Sequence, residues 1–142
     1  MPTANETDAI AEELDAMHRK AMEHFRAKDI SAYMQLFAAD LTYRQASGVE
    51  IGRDQLARDV AAQLSRIESS DTAYKREALS IESDRAVEQL VQTSSATVRV
   101  FLFFRRTWQV RRTGRYTWAK SSEGWKIQRV EVLDERVTRL AV

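Results

Sequence analysis

Cysteine is absent from this 142-residue chain. That excludes a disulfide framework, a thiolate zinc site, an iron–sulfur cluster and a cysteine nucleophile. Proline occurs once, as Pro2, and glycine four times, so no Pro/Gly-rich linker divides the chain. Long apolar runs are scarce too. Around the aromatic cluster the longest is Val100–Phe104, far short of the ~20 residues a membrane helix needs. The opening residues are polar and acidic, unlike a signal or transit peptide. These absences predict a soluble, cytoplasmic protein with no membrane partner. A chain of this length removes roughly 68–70% of its unfolded surface from water, enough for one self-sufficient core. Residues 1–142 therefore read as a single domain.

What is present divides into two halves. Residues 1–71 hold 8 basic and 13 acidic residues, and residues 72–142 hold 14 basic and 8 acidic. The whole is close to neutral, at +1, whereas a nucleic-acid-binding domain is more typically basic throughout. The first half has helical periodicity. Ile10, Leu14, Met17, Ala21 and Phe25 line one face of a helix over about 5–28, with Asn5 or Thr7 as its cap. Asp29 caps a second helix over Ile30–Ala39. Leu41–Gln45 and Val49–Ile51 alternate as two short strands around Ser47 and Gly48. A third helix runs from Gly52 to Ser69, with Leu56, Val60, Leu64 and Ile67 inward.

Beyond a turn at Ser69–Asp71 the period becomes two. Tyr74–Ser83, Ala86–Val100, Thr107–Lys120 and Trp125–Val137 read as four long strands. Short connections make these strands antiparallel neighbours. Turns fall at Ser83–Asp84, near Phe103–Arg106 and at Ser121–Gly124. The sum is an α+β fold, three helices packed on a strongly curved, mostly antiparallel sheet. Such a cone is filled at its narrow end and can stay hollow at its wide one.

Six segments carry a family resemblance: Phe25–Asp29, Leu36–Asp40, Leu41–Gln45, Gly48–Gly52, Arg53–Leu56 and Gly124–Ile127. In order and residue type they resemble the NTF2-like superfamily, in particular its SnoaL-like branch of cystatin-like cone proteins, over nearly the whole chain. The resemblance implies an NTF2-like cone and a homodimer formed through the sheet. It implies no single activity, because isomerases, dehydratases, cyclases and non-enzymes share the fold. Steroid isomerases of this fold use a tyrosine where this chain has Ala21 and an aspartate where it has Gln45. Neither replacement can shuttle a proton, so that activity is excluded.

The candidate site residues follow from the faces. Tyr43 and Gln45 share a face with Leu41 and point into the cone if Leu41 does. Trp108, Val110, Arg112, Gly114, Tyr116 and Trp118 share one face of their strand, and most of its arginines take the other. That separation argues against a nucleic-acid platform. Arg112 needs a partner, either a ligand anion or an internal carboxylate such as Glu131 or Asp40, unless a bulge at Gly114 turns it outward. His24 and His18 flank the first helix's apolar stripe. Each is a solvated flanking residue or a polar group of the cone, and His24 is the better candidate base. The functional reading is a pocket for a small apolar or aromatic molecule, lined by Tyr43, Gln45, Trp108, Arg112, Tyr116 and Trp118. It needs no cofactor or metal. Acid–base chemistry would fall to His24, with Tyr43 or Arg112 as the polarising group. The other reading is a non-catalytic association module with a filled cone.

Overall fold

The computed structural model describes residues 3–101 and 104–140. The first helix, α1 (Ala4–Arg26), opens on a capping box. The Thr3 hydroxyl accepts from the Glu6 N–H at 3.1 Å, and the Glu6 carboxylate accepts from the Thr3 N–H at 3.3 Å. The cap is thus upstream of the expected Asn5 or Thr7. The buried face of α1 is Leu14, His18 and Ala21. A one-turn helix, α2 (Ile30–Met34), follows its Asp29 cap. It is shorter than the expected Ile30–Ala39, because Phe37 leaves the helix to pair with Ile127 in the sheet. The remaining elements are β1 (Phe37–Arg44), β2 (Glu50–Gly52), α3 (Arg53–Arg66), β3 (Ile67–Glu82), β4 (Arg85–Phe101), β5 (Phe104–Ser121) and β6 (Gly124–Arg139).

The six strands form one sheet in the order β2-β1-β6-β5-β4-β3. All pairs are antiparallel except β1 with β6, which is parallel. The architecture is therefore α+β with a mixed, curved sheet and two long helices beside one short one. Ser69, Ser70 and Asp71 do not turn the chain. They pair with Thr97, Ala96 and Ser95, since β3 is an edge strand on which polar side chains are at home. The turn expected near Phe103–Arg106 lies partly outside the described residues. None of the described helices is long and apolar enough to cross a membrane.

Directly paired residues on neighbouring strands point to the same side, so the register sorts the concave face into rows. The deepest holds Ala86, Trp118 and Ile127; the next holds Glu88, Tyr116 and Val130. Outward from these come Leu90, Gly114 and Val132, then Gln92, Arg112 and Glu135, then Ser94, Val110 and Val137, and finally Ala96, Trp108 and Arg139. The two inner rows pack with Leu14, Leu56 and Val60 into the core, where Trp118 is wholly buried. Arg53 pins the start of α3 to this body, donating to the Met34 carbonyl at 2.8 Å.

Pairing of β4 with β5 runs unbroken past Gly114, and the irregularity there falls between β5 and β6, where Leu133 is the extra residue. Arg112 consequently stays on the concave side. Gly114 serves packing instead. A Cβ at that position would meet the Tyr116 ring at 3.0 Å, so the missing side chain lets the ring lie across the backbone.

Candidate functional site

The outer rows, α1, α2, α3 and the residues after β1 enclose a cavity of about 480 Å³. Its apolar wall includes Met22, Phe25, Leu36, Phe37, Val60 and Val110. The polar groups that reach it converge from separate elements.

His18 forms the inner end. Positions 18, 21, 22 and 25 of α1 all line the cavity, the i, i+3, i+4, i+7 face of one helix. The imidazole is buried, and its Nε2 lies 2.7 Å from Glu88 Oε2. Glu88 is itself wholly buried and accepts two further bonds, from Trp118 Nε1 at 2.6 Å and from Arg76 Nε at 3.0 Å. Burial pushes the Glu88 carboxyl up. The opposing pull of His18, Trp118 and Arg76 is larger, and the group is held below the usual carboxylate range. Three donors on one ionised carboxylate fix the neutral imidazole as the Nε2–H tautomer. Among the described residues no hydrogen bond engages Nδ1 and no buried polar side-chain atom lacks a partner, so Nδ1 is not sealed off, and in the Nε2–H tautomer it carries a lone pair on a ring that lines the cavity.

A second layer holds this pair. Arg76 Nη2 donates to Asp15 Oδ1 at 2.8 Å, and the Tyr74 hydroxyl donates to the same oxygen at 2.6 Å. Burial raises the Asp15 carboxyl, but Arg76 and Tyr74 outweigh it and the net direction is downward. The Tyr74 ring packs against the imidazole with centroids 4.8 Å apart, and the Trp118 and Tyr116 rings meet it edge-on.

The opposite wall is differently made. Tyr33, Tyr43, Arg112 and Tyr116 gather there. Arg112 Nε donates to Glu135 Oε2 at 2.7 Å. Its partner is neither Glu131 nor Asp40, because the extra residue in β6 brings Glu135 onto the concave side opposite Arg112. Tyr116 donates to Gln92 Oε1 at 3.2 Å. The hydroxyls of Tyr33 and Tyr43 and the outer nitrogens of Arg112 have no described protein partner, and all three residues border the cavity. Burial raises the Tyr33 phenol to about 12, with Tyr43 adding to the shift and Arg112 opposing it. Burial raises Tyr43 and Tyr116 as well. These phenols are neutral donors at physiological pH.

The sequence candidates are therefore distributed as follows. Tyr43, Gln45, Arg112 and Tyr116 border the cavity together. Trp118 lies beneath it as a donor to Glu88, and Trp108 stands on the same concave face farther out, 38% exposed. His24 lies off the cavity-lining face of α1. The sequence pattern ranks His18 below His24, although 14, 18, 21 and 25 form as regular a face as the stripe through Met17. It also passes over Glu88, an acid between Ala86 and Leu90 on an otherwise apolar, inward-facing alternation. Asp15, Tyr74 and Arg76 carry no local signal and are found only through the fold, whereas Tyr33 reads as a buried helix residue and only its place in the cavity wall needs the fold.

No family model matches the chain, and no curated protein matches it either. Solved structures do. A candidate scytalone dehydratase from Novosphingobium aromaticivorans superposes with a TM-score of 0.81 at 16% identity, covering 97% of this chain and 93% of that one. A candidate dehydratase of the NTF2-like family from Streptomyces avermitilis gives 0.73 at 13% identity, covering 88% and 96%. A type 2 hexachlorocyclohexane dehydrochlorinase gives 0.74 at 10% identity, covering 94% and 92%. The fold is the NTF2-like cone.

Proposed function

We propose that this NTF2-like cone binds a small, uncharged, largely apolar or aromatic molecule bearing an acceptor oxygen, and that His18 removes a proton from it. The observation that carries this reading is the imidazole nitrogen left free by the Glu88 pairing, on a ring that lines a cavity whose far wall offers unpaired hydroxyl and guanidinium donors. Nδ1 takes the proton, and Glu88 faces the positive charge that develops on the ring. Tyr43, Tyr33 and Arg112 receive the negative charge that develops on the substrate oxygen. Arg112 is already neutralised by Glu135, and Asp59 adds a carboxylate to the lining, so a neutral ground state suits the cavity better than an anion. An enolate formed inside the site can then expel a leaving group or be reprotonated, which covers dehydratase- and isomerase-type outcomes. The dehydratase and dehydrochlorinase names among the structural neighbours agree with that class. A cavity of about 480 Å³ counts against a cone filled by its own side chains.

The test is exchange of the α-protons of 1-tetralone in D2O, followed by proton NMR. The protein should accelerate the exchange. His18→Gln, which keeps a donor for Glu88 but offers no base, should lower the acceleration on the order of 10²-fold or more. An equal rate in both proteins, or none above buffer, overturns the reading.

A further inference from the structure

The concave face does not end where the cavity does. Ala96 and Val110 line the cavity. Trp108 is the direct partner of Ala96 on β4 and stands two residues from Val110 on β5, so it faces the same way. Val137, the partner of Val110 on β6, continues that surface, as do Val98 and Arg106, paired with each other one row beyond. Among the described residues α1 meets the sheet at β3 and, deeper in the cone, at Glu88, Trp118 and Trp125, and α3 meets it at β1, β2 and β3, while the side chains of this stretch stay open. Trp108 is 38% exposed and Val137 57% exposed, an open apolar shelf contiguous with the cavity wall. Arg106 lies beside it, and Arg139, the partner of Trp108, lies across from it. Neither takes part in the ion pairs of the described residues, whereas their neighbour Arg105 is held by Glu68 on the other side of the sheet.

We infer that this shelf is a second subsite, holding the apolar tail of an amphiphilic ligand on Trp108 and Val137, with an acidic end group between Arg106 and Arg139. The inference rests on the proposed function, since it extends the same ligand. Two parts of the ligand meet opposite electrostatics. The inner cavity balances Arg112 with Glu135 and takes a neutral head, and the outer shelf carries two guanidinium groups that form no ion pair among the described residues, with no carboxylate in its paired rows. A tail reaching the indole must span the four residues from Arg112 to Trp108, about 14 Å of strand. An exposed indole flanked by arginines binds a flat or extended apolar chain in a way that threonine or valine at that place does not.

Calorimetric titration of full-length protein tests this with 1-tetralone and a series of 6-(ω-carboxyalkoxy)-1-tetralones of increasing chain length. Affinity should step up about tenfold once the chain is long enough to reach the indole, and the methyl ester of that compound should lose most of the gain. Trp108→Ala should abolish the step while leaving 1-tetralone binding unchanged. The Arg106→Ser, Arg139→Ser double variant should remove the preference for acid over ester. A steady rise with length that Trp108→Ala does not alter overturns the inference. So does a change in solution mass caused by Trp108→Ala, since the shelf then belongs to a second copy of the chain. Failure of 1-tetralone itself to bind would instead overturn the proposed function, and this subsite with it.

Discussion

The two ends of the cone are built on opposite rules. At the inner end the described polar groups are paired with one another, His18 Nδ1 excepted: Glu88 takes three donors, and Arg76 is shared between Glu88 and Asp15. In the outer half the Tyr33 and Tyr43 hydroxyls and the outer nitrogens of Arg112 have no described protein partner. Closed pairing stabilises a fold, while open donors in a hollow wait for something the chain does not supply. His18 is where the two ends meet, with one nitrogen committed to the network and one left free on a ring that lines the hollow.

Mutation can break this contrast. The largest effect belongs to the inner end. Glu88→Ala leaves two buried donors, His18 and Trp118, and the half-buried Arg76 without their acceptor and should cost about 3–5 kcal/mol in chemical denaturation. Trp118→Ala should cost a similar amount, about 3–5 kcal/mol, by removing a wholly buried indole and one of those donors. The inner pairing also predicts the acid limb of stability. Glu88 and Asp15 have folded-state values below their ordinary 4.5 and 3.8. Their contribution is therefore complete above those ordinary values and is lost as pH falls below them toward the folded-state values. An acid titration of Glu88→Gln should show a shallower loss of stability below about pH 4.5 than wild type. An unchanged slope would mean that the carboxylate is not held as described.

A middle-sized effect sits at the boundary. Gly114→Ala pushes a methyl group into the Tyr116 ring and should cost about 1–3 kcal/mol, with the ring displaced into the cavity. The smallest stability effects belong to the outer half. Tyr43→Phe and Gln45→Leu should shift unfolding by no more than about 0.5 kcal/mol. Each should nevertheless weaken the binding of a neutral ketone, visible as a reduced thermal shift at fixed ligand concentration. Stability losses as large as those of the inner end would erase the distinction between the two halves.

This division also explains what could be read from sequence. Periodicity located every long element, because a helix or strand that buries one face advertises it every 3.6 or two residues. Boundaries failed where pairing overrode local signals, as at Phe37, drawn into β1, and at Ser69–Asp71, polar residues accommodated by an edge strand. Strand parity grouped Tyr43 with Gln45 and Arg112 with Tyr116, but which face of each strand borders the cavity needed the fold. The Arg112–Glu135 pair needed it too, since one extra residue in β6 changes which acid faces inward. His18 was hidden for another reason. A histidine inside an apolar stripe is indistinguishable from a flanking one until its partner, 70 residues away, is brought beside it.

His18 and His24 are the chain's two histidines, so the central claim can be read from two imidazole spin systems. Long-range proton–nitrogen NMR at pH 8 should show His18 as the Nε2–H tautomer, with an unprotonated Nδ1 whose shift moves when 1-tetralone is added while His24 stays still. A proton found on Nδ1, or a His18 signal indifferent to the ligand, would contradict the account.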